Sequence, residues 1–185
     1  MQIAEALNTA LESRIKSHIR DIPDFPKPGI LFRDITPVLL DHELCSDIVD
    51  EFLSRLPSVS LDAICAIESR GFFFGTLLAN RLKLPFIPIR KKGKLPGDTI
   101  SYTYDLEYGT STIEIHDGVV KPGNKVLLHD DLLATGGTIM AAMELIKNQK
   151  AEVAAVTFLV SLEFLDGPKK LKRKNPNVIS LAKYH

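Results

Sequence analysis

The sequence predicts an α/β fold, a mostly parallel central sheet flanked by helices. Three observations lead there. Short apolar runs bounded by turn residues alternate with segments of helical periodicity, the order in which strand-helix-strand units are built. The last third contains such a unit outright: an apolar run at residues 125–129, a helical segment at 136–149 and a second apolar run at 152–160. The chain has 185 residues, 45% hydrophobic and 25% charged, which is enough to bury a core as one domain spanning 1–185. In such a sheet, ligands bind beyond the carboxyl ends of the strands.

Taken in order, the first segment places Ile3, Leu7, Leu11, Ile15 and Ile19 near a spacing of four. That is one face of an amphipathic helix, which needs a larger body to pack on. Glu, Asn, Ser, Arg and Lys interrupt it, unlike the continuous apolar stretch of a signal peptide. Residues 21–37 hold Pro23, Pro26, Pro28, Gly29 and Pro37. Backbone so constrained predicts an ordered loop rather than regular structure. A helix over 43–56, a strand over 62–67, a helix over 71–82 and a strand over 85–90 follow. Residues 91–101 are rich in Lys, Gly and Pro, while 110–116 alternate β-branched and polar residues as a strand exposed on one face does. Together they frame a mobile loop. The tail, 168–185, carries little signal.

The bulk properties exclude some partners. Lys+Arg 23 balances Asp+Glu 23, so no global field would draw nucleic acid or an anionic membrane surface, and neither is expected as a partner. No window approaches a membrane span. The two cysteines, Cys45 and Cys65, fall in a helix and a buried strand, which argues against a disulfide framework and for a cytoplasmic location. His42 and Cys45 are three apart on a helix, but two ligands without partners make a weak metal site, and the structural reading is preferred.

The run from Val126 to Thr138, VLLHDDLLATGGT, carries the chemistry. Asp130 and Asp131 stand at a strand end, followed by the small-residue turn Ala134, Thr135, Gly136, Gly137 and Thr138 that opens a helix. The glycines let the backbone close around an anion, and the new helix aims its N–H groups at it, assisted by the two threonine hydroxyls. The carboxylates repel phosphate but accept well from a vicinal diol and suit hydrated Mg²⁺. Phosphate plus diol means a ribose phosphate. A lone TGGT would read as a capped turn; the carboxylate pair, the strand before and the helix after decide against that. Neither G-x-x-x-x-G-K-[ST] nor G-x-G-x-x-G occurs.

This run closely resembles the 5-phosphoribosyl-1-pyrophosphate (PRPP) binding motif of type I phosphoribosyltransferases. His129 departs from it, standing where that family usually has an aliphatic residue, and reads as a satisfied, partly buried histidine. Asp24 to Pro37, DFPKPGILFRDITP, resembles the base-binding hood of adenine phosphoribosyltransferases. The resemblance implies the type I phosphoribosyltransferase fold, with an N-terminal hood at about 20–37 and a flexible catalytic lid loop at about 91–110. By that likeness, backbone groups near Leu31 and Arg33 read the adenine edge and Phe32 covers the ring, while Phe25 goes to the core.

Further segments extend the likeness. Glu68-Ser69-Arg70-Gly71 resembles the family's pyrophosphate loop, in which the peptide between Glu68 and Ser69 is typically cis. Arg90, Lys91 and Lys94, in RKKGKLPG, suit a lid over pyrophosphate, and in the family a basic residue here can cross a dimer interface. Leu106-Glu107-Tyr108-Gly109 matches the family's LEYG segment, which makes Glu107 the expected general acid or base, with Arg70 as its catalytic partner. The activity implied is transfer of the phosphoribosyl group to N9 of adenine, giving AMP and pyrophosphate. Mg²⁺ is the implied cofactor, held mainly through PRPP and through water to Asp130 and Asp131, and a homodimer is the implied assembly. An enzyme for hypoxanthine or guanine would have to read a ring carbonyl, against the hood. A PRPP-sensing regulator of nucleic acid should carry an appended basic domain.

Overall fold

The computed structural model describes residues 2–105 and 109–185, with side chains from residue 9 onward. In chain order the elements are α1 (Gln2–His18), β1 (Arg20–Pro23), β2 (Leu31–Asp34), a 3-10 turn (Thr36–Leu40), α2 (His42–Arg55), β3 (Ala63–Ile67), α3 (Gly71–Leu82), β4 (Phe86–Lys91), β5 (Thr99–Asp105), β6 (Thr110–His116), β7 (Lys125–Leu133), α4 (Gly137–Asn148), β8 (Glu152–Leu162), α5 (Gly167–Lys174) and β9 (Val178–Tyr184). The seven-stranded sheet has the order β5-β6-β4-β3-β7-β8-β9. β4, β3, β7, β8 and β9 run parallel, and β6 pairs antiparallel with β4 and β5.

Alternation along the strands divides the core into two layers, because successive side chains leave a strand on opposite faces. Ile64, Leu127, Ala155 and Leu159 face the layer made by α1, α2 and α3. Cys65, Ile67, Val126, Leu128, Val156 and Phe158 face the layer made by α4, α5 and the β5–β6 hairpin. Helix α2 shows the local logic. Leu44, Ile48, Val49 and Phe52 form its buried stripe, each contributing about 1.5–3 kcal/mol on burial. Asp41 caps it by accepting from the Leu44 N–H at 2.9 Å, worth about 1 kcal/mol.

Several expectations are corrected. The segment 21–37 is not a loop throughout: β1 and β2 pair as an antiparallel hairpin, Arg20 opposite Asp34 and Pro23 opposite Leu31. The prolines permit this because Pro26 and Pro28 lie in the turn between the strands, where Asp24 Oδ1 accepts from the Gly29 N–H at 2.7 Å. The expected 91–110 loop contains β5, which pairs with β6 along its whole length, so the turn narrows to 92–98. β7 runs beyond His129 to Leu133 because its register with β8 continues from His129↔Thr157 to Leu133↔Ser161; the two aspartates therefore stand within the strand. The tail forms α5 and β9, and β9 closes the sheet edge against β8.

Candidate active site

The carboxyl ends of β3 and β4 and the second half of β7 surround a cleft of about 380 Å³, lined by Phe32, Glu68, Ser69, Arg70, Arg90, Lys91, Asp130, Asp131 and Thr138 among others. A hollow of about 100 Å³ adjoins it through the shared Asp130, Leu132 and Thr138 and is walled by Ala134, Thr135, Gly136 and Gly137. The cradle exists because β7 ends in a tight turn: Gly136, with φ 79°, takes a left-handed conformation immediately before α4, one that glycine adopts without steric cost.

Burial and mutual repulsion govern the aspartate pair. Burial raises the Asp130 carboxyl well above the ordinary range, and the Asp131 charge raises it further. Burial also raises Asp131, with Arg70 pulling it back toward ionisation. Arg70 Nε sits 2.8 Å from Asp131 Oδ2 without hydrogen-bond alignment, so that buried oxygen still has no donor. Such an acceptor favours a hydroxyl donor or a hydrated cation from a ligand.

Arg70 joins three parts of the site. Besides Asp131, its Nη1 donates to the Arg33 carbonyl at 3.2 Å, and its guanidinium stacks 4.7 Å from the Phe32 ring centre. Glu68 and Arg90 pair at 2.7 Å, and the Glu68–Ser69 peptide is cis, as the resemblance implied. Phe32 faces the cleft, but Phe25 is 50% exposed and stacks edge-on against Phe32 at 5.0 Å; it is not core, since the hairpin turn carries it away from the sheet. Leu31 is half exposed. Arg33 turns its side chain from the cleft, toward Asp21 and the Tyr184 ring. Lys94 meets the site through its backbone: its carbonyl accepts from Arg90 at 2.9 Å. Glu107 lies outside the described residues.

His129 corrects another expectation. It is fully buried, not partly, and only half satisfied: Nδ1 bonds Thr157 Oγ1 at 2.9 Å, while Nε2 has no partner. Burial pushes its pKa down to about 3, so the ring is neutral packing between strand and helix layers.

Three contributors lay beyond sequence reasoning. Tyr104 on β5 donates to Thr138 Oγ1 at 3.0 Å, bringing the lid hairpin onto the cradle. Glu114 on β6 is buried and accepts from the Lys94 and Leu95 N–H groups at 3.0 Å each; burial would raise its carboxyl, but backbone donors from 93–95 hold it below the ordinary range. Gly167 abuts the cradle so closely that a Cβ there would lie 1.9 Å from the Ala134 carbonyl oxygen. The alternating Ile100, Tyr102 and Tyr104 were the available signal for β5; nothing local marks Gly167.

Comparison with known proteins gives a consistent result. The phosphoribosyl transferase domain family matches residues 39–184, which takes in the tail that carries little signal in the sequence. An adenine phosphoribosyltransferase of Cytophaga hutchinsonii is 52% identical over 174 residues, 94% of this chain and 96% of that protein. The crystal structure of the adenine phosphoribosyltransferase of Rhodothermus marinus superimposes with a TM-score of 0.90 at 42% identity, covering 95% and 99% of the two chains. That of the Saccharomyces cerevisiae protein, complexed with an imino-altritol bisphosphate and adenine, gives 0.84 at 36% identity, covering 94% and 98%.

Proposed function

The chain belongs to the phosphoribosyl transferase family and, within it, to the adenine phosphoribosyltransferases; from that premise we propose how its residues divide the work. The reaction joins adenine to the ribose phosphate of PRPP and releases diphosphate, giving AMP in purine salvage. The observation that carries the assignment of roles is the continuity of one cleft from Phe32, past Arg70 and the aspartates, into the turn 134–138.

In this reading the N–H groups of Ala134 to Thr138 and the two threonine hydroxyls hold the 5′-phosphate. Asp130 and Asp131 accept from the ribose diol. Ser69, Arg70, Arg90 and Lys91 take the diphosphate, with Glu68 holding Arg90 in place and Lys94 approaching as the lid closes. These cations stabilise charge that grows on the leaving group. Phe32 covers adenine, and backbone groups of Leu31 and Arg33 meet its edge; the Arg33 carbonyl has a second lone pair beside the one Arg70 uses. Glu107 moves the adenine proton as N9 attacks C1 of the ribose.

Magnesium fits this donor set. Among the described residues no three His, Cys, Asp or Glu side chains gather as a metal-binding group, so the protein offers two neighbouring carboxylates, suiting an ion that arrives on substrate phosphates and keeps its waters. Bound there, it would neutralise diphosphate charge. The working unit is the single domain 1–185, with the hood at 20–37 and the lid built from the turn at 92–98 and the β5 strand that follows it. We place it in the cytoplasm, in keeping with two free cysteines, and as a homodimer, for which the exposed Phe73 and Leu77 of α3 offer an apolar face.

The test is diphosphate release from PRPP and Mg²⁺ with adenine, hypoxanthine, guanine or uracil. Turnover is expected with adenine alone. Glu107→Ala and the Asp130→Asn/Asp131→Asn pair should each lose at least tenfold in kcat/KM, since each removes charge-assisted contacts worth about 1.5–3 kcal/mol. Release with hypoxanthine or guanine would overturn the role given to the hood.

A further inference from the structure

We propose that Tyr184, near the end of β9, is a positioning residue for adenine recognition: its ring holds Arg33 and thereby fixes strand β2 over the cleft. This rests on the reading of β2 as the base-binding strand.

The hood hairpin is a sheet of its own, separate from the seven-stranded sheet. Among the described residues no ladder of backbone hydrogen bonds joins it to that sheet, so side chains must set its height above the cleft. At its base Asp34 accepts from Arg20 at 2.6 Å and from the Thr36 N–H at 3.0 Å, which ties the hairpin to the following turn. The connection to the central sheet is made at Arg33. Its guanidinium carbon lies 4.0 Å from the centre of the Tyr184 ring; on the hairpin side it pairs with Asp21, the residue opposite it in the β1–β2 register. Although charged, the Arg33 side chain is only 15% exposed. A planar guanidinium neutralised by a carboxylate and laid on an aromatic face has little freedom to shift.

Tyr184 is a firm platform. Its ring packs against the core layer of α1 and α2, its carbonyl accepts from the Glu163 N–H at 2.8 Å, and the preceding Lys183 N–H donates to Glu12 at 2.9 Å. The Lys16 ammonium lies 5.1 Å from the same ring centre. On its other side Arg33 meets the site: its carbonyl accepts from Arg70, and its chain neighbour Phe32 lines the cleft. Loosening Arg33 displaces both the ring-covering face and the edge-reading backbone, but leaves the PRPP cradle on β7 and α4 alone.

The experiment is steady-state kinetics of the full chain with adenine and PRPP varied separately, on Tyr184→Ala, Tyr184→Phe and Phe32→Ala. Tyr184→Ala should raise KM for adenine roughly 2- to 30-fold, the span of a cation–π contact, with KM for PRPP and kcat within about twofold of the parent. Tyr184→Phe, which keeps the ring, should restore the adenine KM. Should Tyr184→Ala not accumulate as folded protein, Tyr184→Leu, which keeps most of the volume without the aromatic face, is read by the same criteria. The proposal is overturned if Phe32→Ala raises the adenine KM while Tyr184→Ala leaves it unchanged, if both KM values rise together, or if Tyr184→Phe behaves like Tyr184→Ala. No change in Phe32→Ala would instead remove the base-binding reading of β2, and the proposal with it.

Discussion

Arg70 and His129 are polar side chains in opposite settings, Arg70 lining the cleft and His129 fully buried in the strand next to the aspartates. Arg70 is spread over a carboxylate, a carbonyl and an aromatic face. His129 is held neutral by burial, its pKa pushed down to about 3 from an ordinary 6.5. Between those values the unfolded chain binds a proton that the folded chain refuses, so stability falls as pH drops from 6.5 toward 3 and does not fall further on this account below 3. The full span corresponds to about 5 kcal/mol. His129→Leu combined with Thr157→Val removes both the titrating ring and the hydroxyl it bonds, and pairwise apolar replacement of this kind is close to neutral at pH 7. Denaturant unfolding at pH 7 and at pH 4.5 should therefore show a smaller acid loss in the double variant. An equal loss would mean that other groups carry the acid sensitivity. The position of His129 was legible from the sequence; its depth was not, because Phe52, whose ring lies 5.6 Å away, comes from a helix distant in the chain.

Among the elements, those legible in advance share a physical property: their residues carry the full signal locally. β7, α4 and β8 declare themselves by periodicity, and the aspartate pair with its glycine turn marks the proposed ribose phosphate site without reference to any other segment. The elements that were missed depend on partners. β1 and β2 are polar, proline-flanked and only four residues each, so their pairing is stabilised by Arg20–Asp34 across the hairpin rather than by propensity. β5 is held by β6 and by Glu114 gripping the turn before it. Helix α5 reads as a basic surface run, yet its first residue supports the cradle from behind. Gly167→Ala places a Cβ against the Ala134 carbonyl and the Thr135 backbone, and relief requires the 134–136 turn to move. Overpacking of this order costs about 1–3 kcal/mol, a melting temperature lower by roughly 3–10 °C. The variant should also raise KM for PRPP more than KM for adenine, because the displaced turn is the proposed phosphate cradle; equal changes in both would reduce Gly167 to a fold residue.

At the scale of the whole molecule, the two core layers make the central sheet a rigid floor, and the hood is joined to the body by Arg33 on Tyr184, by Arg70 against Phe32 and the Arg33 carbonyl, and by Ile35 at its end in the core. Local openings cost least where few buried contacts must break, so the hood should open far more readily than β3, β7 or β8. A ligand slows opening only where it bridges the parts that separate. In the proposed assignment ribose 5-phosphate touches the cradle and the aspartates, adenine touches the hood, and AMP spans both. Hydrogen exchange of the backbone amides should then show protection at 134–138 with ribose 5-phosphate, and protection there and at 31–34 with AMP. At one hundred times its dissociation constant, AMP adds about 2.7 kcal/mol to any opening that breaks its contacts, which slows exchange at those amides by roughly a hundredfold when exchange follows the open population. Equal protection of 31–34 by ribose 5-phosphate would show that hood and cradle move as one body, and the side-chain tethers would then be stiffer than a separate two-stranded sheet requires.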